Sequence, residues 1–273
     1  MINKVGIIGG SYSGSTLLGA MLSGHSKIFY PGELYYHFAC KPLLNSHCRK
    51  CCFLKQKCPL VDDPLFNATV VDQNIHEALL QYSKAQVIVD GSKRPIWFQR
   101  FIKDHKRWLI IHLIKSPEAF VASSISRGPS ERRTLDQAIK IWIRDLKRSV
   151  KLMKHYEHSF CLQYEHFVQH PKAVVNFITR KAGLEVEPGL DKYWNFDTHF
   201  LGGNNSVTTN FDGCENIIPH TEPVNQKMYK AKHRKIFLDE KWKRVLTKEQ
   251  LEIITRKTAP FMKLVHPNMI KAV

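Results

Sequence analysis

Short runs of apolar residues alternate along this chain with longer stretches in which apolar residues recur every three or four positions. That alternation predicts an α/β fold, a central parallel sheet flanked by helices on both faces. The runs Lys4 to Gly9, Gln86 to Asp90, Trp108 to Ile114 and Ser159 to Gln163 predict strands, with a weaker one near Ile28 to Tyr30. Leu135, Ile139, Trp142, Leu146, Val150 and Met153 form a stripe that predicts a helix from about Glu131 to Tyr156 with this face on the sheet. Pro171 opens a further helix with Val174, Val175, Ile178 and Ala182 inward, and Thr247 with Gln250 makes a capping box for a C-terminal helix through Leu264. From 185 to 241 the periodicity fades into Gly, Asn, Thr and Pro, which predicts an irregular segment lying over an active site.

At 273 residues, one α/β domain spanning 1–273 is the natural reading. Charge is the unusual feature: 41 Lys and Arg against 24 Asp and Glu leave a formal net charge of +17, which favours anionic ligands without naming one. The basic residues are spread out, with short clusters at Lys230 to Lys235 and Lys241 to Arg244, so they read as basic surface rather than as a nucleic-acid arm. The ordinary apolar share excludes disordered and fibrous classes. The N-terminal apolar run is short and broken by glycines, so neither a leader nor a membrane span is expected, and a cytoplasmic protein follows.

Gly9-Gly10-Ser11-Tyr12-Ser13-Gly14-Ser15-Thr16 follows the first predicted strand and opens a helix. Glycines there let backbone N–H groups converge on an anion at a helix N-terminus, and Ser15 and Thr16 add hydroxyls. The Gly9-x4-Gly14 spacing matches a Walker A loop, yet Ser15 stands where the lysine of NTP-hydrolysing proteins belongs. A tight turn without a ligand is the plain alternative.

YSGSTLLGAML, His25 and PGEL, then VDGSKRP, IIHLIKSPEAFVASSISRG, LQYEHFVQHP and the C-terminal WKRVLTKEQLEIITRKTAPFM, in this order, resemble sulfotransferases that use 3′-phosphoadenosine 5′-phosphosulfate (PAPS). The likeness is to bacterial-type carbohydrate and general sulfotransferases, more distantly to tyrosylprotein sulfotransferases. It implies a P-loop fold, PAPS as sulfuryl donor, an acceptor hydroxyl on a saccharide, lipid, metabolite or tyrosine, and no required metal. It also implies cofactor contacts from Gly10, Ser11, Tyr12, Ser13, Gly14, Ser15 and Thr16. The chain departs from the family in carrying Tyr12 where a basic residue is common, and Lys115 where an arginine is expected.

Lys93 follows a strand at the carboxyl edge of the sheet, where ligands of open α/β folds bind, and is expected on the transferring sulfate; a solvated surface lysine is the alternative. Lys115, Ser123 and Arg127 are expected to hold the 3′-phosphate, since a strand-end cation and two residues one helical turn apart can converge on an anion. Arg127 has the alternative of pairing with Glu131. Glu33 resembles the place of the catalytic glutamate of tyrosylprotein sulfotransferases and is the first candidate for general base, against a capping or ion-paired carboxylate. His199, in a sequence like one that carries a histidine in related chains, is the second, against a buried hydrogen-bonded histidine. Tyr164 and Asn204 are weaker candidates for contacts to cofactor or acceptor.

Seven cysteines do not form a secreted disulfide framework, but Cys48, Cys51, Cys52 and Cys58 crowd together. Four thiolates on zinc are one reading, but the spacing is imperfect for it, and adjacent Cys51 and Cys52 cannot easily both turn inward in one regular strand. A similar cysteine-bearing stretch occurs as an insertion in the chains this one resembles, and that resemblance implies packing or a disulfide, with no metal. A P-loop kinase and a basic nucleic-acid binder remain the competing functions. The positive charge tilts the acceptor toward an anionic polysaccharide, no nucleic-acid partner is expected, and oligomeric state is not readable.

Overall fold

The computed structural model describes residues 1–35, 47–69, 74–127, 132–216 and 232–265. Its five strands are β1 (Lys4–Ile8), β2 (Ile28–Gly32), β3 (Val87–Lys93), β4 (Trp108–Ile114) and β5 (His158–Gln163). They form one parallel sheet in the order β2-β3-β1-β4-β5. Every residue of β1 and β4 is buried, because alternate side chains feed two separate apolar layers. Val5, Ile7, Leu109, Ile111 and Leu113 meet Leu18, Leu22, Val174 and Ile178 on one face. Ile8, Trp108, Ile110 and Ile114 meet Trp142, Leu146, Leu79 and Ile254 on the other. Both faces are covered, as near-continuous apolar strands require.

The expected helices form with trimmed ends. The long one runs Leu135–Met153, starting where Thr134 Oγ1 accepts from Gln137 N–H and the Gln137 side chain returns a bond to Thr134 N–H. Glu131, its expected first residue, lies outside the described residues. The Pro171–Lys181 helix buries Val174, Val175 and Ile178, and the Thr247 capping box starts Lys248–Met262. Within 185–241 the described residues hold a 3-10 turn, Tyr193–Asn195, the short helix Asn205–Thr208, and isolated bridges from Leu201 to Gly32 and from Gly202 to Cys48. No helix among the described residues is long and apolar enough to cross a membrane.

The strand order decides where a ligand fits. From β1 the chain leaves toward β2, and from the adjacent β4 it leaves in the opposite direction, toward β5. The two connections part at the carboxyl ends of β1 and β4, opening the crevice that receives ligands in open α/β sheets. The glycine loop follows β1 and Lys115 follows β4, so both border this crevice.

Candidate active site

A cavity of roughly 440 Å³ lies at this edge. The loop after β1 supplies Ser11, Tyr12, Gly14, Ser15 and Thr16 to its wall. Gly14, at φ 93°, turns the chain into the helix Ser15–Leu22, and a Cβ there would lie 2.6 Å from the Tyr164 ring. Only glycine meets both demands. Gly10 and Ser13, expected with the others, are not part of the wall: Gly10 backs onto the Phe120 ring, and Ser13 is buried with its hydroxyl lacking a hydrogen-bond partner.

Strand β3 delivers Lys93 in the left-handed region, φ 62°. Asp90, fully buried, holds this strand end: it accepts from Ser92 N–H (2.9 Å) and the Ser92 hydroxyl, from Trp97 Nε1 (2.7 Å), and faces His76 Nε2 at 2.8 Å. Ser92 Oγ accepts in turn from Tyr35 N–H, which docks the segment after β2. Lys93 Nζ then donates to Glu33 Oε1 at 2.5 Å, and both groups line the cavity. Lys93 is thus not a solvated surface lysine, and Glu33 is ion-paired rather than a helix cap.

Strand β4 delivers Lys115, 7% exposed, with Nζ 4.8 Å from the Tyr164 ring centroid and 4.0 Å from Asp239 Oδ2. The Pro117–Ile125 helix, capped by Ser116, carries Ser123 and leads to Arg127. The Arg127 guanidinium carbon sits 3.7 Å from the Tyr12 ring centroid. The loop position without a basic residue therefore has a cation stacked on it from the neighbouring strand's helix. Lys115, Ser123, Arg127 and Tyr164 all line the cavity, as does Asn204.

Lys235, Lys241, Arg49 and Tyr193 line it too and were missed. The two lysines fall in clusters that read as basic surface in sequence; Lys235 is indeed exposed, at the rim of the cavity, while Lys241, just past the buried Asp239, is half-buried. Burial pushes the Lys115 ammonium below the ordinary lysine range, Asp239 opposing and Lys241 adding to the shift. Burial likewise lowers Lys241, with Asp239 opposing and Arg127 adding. Clustered cations short of counter-charge form a site prepared for an anion.

His199 and the cysteines depart from expectation. His199 does not line the cavity; its ring turns to the thiols of Cys48, Cys51 and Cys58, all buried. Of the expected packing or disulfide, the disulfide is absent among the described residues, where every cysteine is free; Cys48, Cys51 and Cys58 are packed inside and Cys52 is exposed. Cys48, Cys51, Cys58 and His199 are the group among the described residues suited to a metal ion. A histidine more than 140 residues from its partners leaves no local signal.

Fold and cavity together define a P-loop-like α/β protein shaped to hold an anionic ligand at a sheet switch point. The profile described as "Sulfotransferase family" matches residues 5–188, more than half of the chain, and the chain belongs to that family. Among solved structures, the sulfotransferase domain from the curacin biosynthetic pathway is similar over 95% of this chain and 98% of that one, with TM-score 0.63 and 19% identity. The sulfotransferase domain of the Synechococcus PCC 7002 olefin synthase is similar over 97% and 94%, with TM-score 0.58 and 20% identity. At such identities they speak for the fold alone. No curated protein matches the sequence significantly.

Proposed function

We propose that this chain transfers a sulfuryl group from PAPS to an acceptor hydroxyl by in-line displacement. The observation carrying the reading is that one cavity joins two donor groups: the glycine loop with Lys93, and Lys115, Ser123, Arg127 and Lys241 after β4. Such a set suits a ligand with two separated anionic groups, and the lowered Lys115 and Lys241 are cations that an anion would stabilise. When bound, PAPS would supply the electrophilic sulfur and a phosphate leaving group.

The residues of the chain then provide alignment and charge, which dominate catalysis of transfers of this kind. Ser15, Thr16 and the loop N–H groups hold the phosphosulfate end, and Lys115, Ser123 and Arg127 hold the 3′-phosphate. The Lys93 ammonium stabilises the negative charge that develops on the leaving oxygen. Glu33, one hydrogen bond from Lys93, takes the proton of the attacking hydroxyl. Residues 193–210 and 232–241 form the acceptor side, and the cationic Arg49 and Lys235 in the wall suit an acceptor bearing negative charge.

A thermal-shift comparison tests the reading. Adenosine 3′,5′-bisphosphate should raise the melting temperature, by the equivalent of about 2.7 kcal/mol at a hundredfold excess over Kd, whereas ATP, GTP and AMP should not approach this. In a transfer assay Lys93→Ala should lower turnover about a hundredfold or more while the bisphosphate binds nearly as before. Stabilisation by Mg²⁺-ATP with no response to the bisphosphate would instead support the kinase reading.

A further inference from the structure

We propose that Cys48, Cys51, Cys58 and His199 form a structural zinc site that clips the wall of the cavity together. The ligand atoms all lie within 4.8 Å of one another. His199 Nδ1 is 3.7 Å from Cys48 Sγ, 3.2 Å from Cys51 Sγ and 3.8 Å from Cys58 Sγ. Tetrahedral zinc with bonds of about 2.3 Å to sulfur and about 2.0 Å to nitrogen requires S···N edges of about 3.6 Å. The three observed distances bracket that value. Three thiols and one imidazole in a closed tetrahedron favour zinc over oxygen-seeking cations and leave no open coordination position, which marks the site as structural.

The surroundings are those of a metal-binding knuckle. Cys48 caps the short helix Arg49–Leu54, so Cys51 follows one turn later on the same side, while Cys52 turns to solvent. Val61 N–H donates to Cys58 Sγ at 3.4 Å, and the Gln56 side-chain amide to Cys51 Sγ at 3.7 Å. His199 Nε2 lies 3.1 Å from Asp197 Oδ1, which fixes the other ring nitrogen toward the sulfurs. Lys50 Nζ donates to the same carboxylate oxygen at 2.5 Å.

The site joins segments far apart in sequence. Cys48 bridges to Gly202 and Gly32 to Leu201, and Glu33 N–H donates to Leu201 O at 3.2 Å. Arg49, next to the first ligand, donates to Asn205 Oδ1 at 2.9 Å in the cavity wall. A metal here would hold the 199–205 wall, which pairs through Leu201 with the Gly32–Glu33 backbone, against the 48–58 segment, although no ligand faces the cavity itself.

The test is metal analysis of the full chain purified without chelator, with binding rather than activity as the readout. About one zinc per chain is expected, and cobalt in its place should give thiolate charge-transfer bands with the intense visible bands of tetrahedral coordination. Cys51→Ser and Cys58→Ser should lose the metal, Cys52→Ser should keep it, and His199→Cys should retain a four-thiolate site. Asp197→Asn should lower zinc affinity about 10- to 100-fold. A folded wild-type chain that neither contains zinc nor takes it up in a 1:1 ratio overturns the proposal. So does a native mass lighter by two hydrogens, the mark of a disulfide, or equal metal loss in Cys52→Ser and Cys51→Ser. None of these outcomes depends on the transfer reaction.

Discussion

Lys115 shows how much a single side chain's surroundings decide. The sequence marks it as a cation replacing an arginine; the structure buries it beside Lys241 and against Tyr164, with one carboxylate 4.0 Å away. Burial disfavours its charge and that of Lys241. An anion binds the charged form, so affinity should fall as pH rises through the lowered values, before the ordinary lysine range near about pH 10.4. Calorimetric titration of adenosine 3′,5′-bisphosphate across alkaline pH checks this. Lys115→Arg, charged throughout, should push the fall to higher pH; an unchanged profile would remove Lys115 as its source. Lys93 and Lys115 were legible because each sits at a strand end, and Glu33, Ser123 and Arg127 through the family resemblance of their segments. Lys235, Lys241 and Arg49 were not, since no periodicity reports where an irregular segment turns its side chains.

Among the elements, β3 does the most to shape the site. Its last residues leave regular strand geometry, and Asp90 holds them there through Ser92, Trp97 and His76. Removing that carboxyl orphans several buried donors, so Asp90→Ala should cost about 3 kcal/mol or more, read as a lower urea midpoint at unchanged slope. Lys93 and Glu33 should also lose their registry, because Tyr35 is tied to Ser92. Gly32, at φ 99°, makes the matching contribution from β2: a Cβ there would lie 2.2 Å from Leu201 O, so only glycine allows the wall to pair with the strand. Strand positions were legible from continuous apolar runs, and helices from their stripes. Their ends moved by a few residues where a cap or a side-chain acceptor, such as Thr134 or Asp90, outweighed the pattern.

At the scale of the whole molecule, the sheet itself is a source of pH sensitivity. His112 lies in the middle of β4, 2% exposed, and burial pushes its pKa down to about 4. As pH falls below the ordinary histidine value of about 6.5, the unfolded chain takes up a proton that the folded one refuses until about pH 4. The stability present above that window is lost across it, by roughly 3 kcal/mol from this residue. Urea unfolding from pH 7 to pH 4.5 should show the decline, and His112→Asn should flatten it whatever its stability at neutrality. The sequence by itself determined the strand list, the main helices and the glycine loop, because apolar periodicity and glycine spacing are local properties of the chain, and its motifs in order carried the family resemblance. Only the tertiary structure decided that β1 and β4 are neighbours, that Arg127 reaches the Tyr12 ring, that Lys235 and Lys241 line the cavity, and that the His199 ring turns to three thiols. Each of those depends on contacts between residues distant along the chain, which are set by how the whole core closes rather than by any segment's own preference.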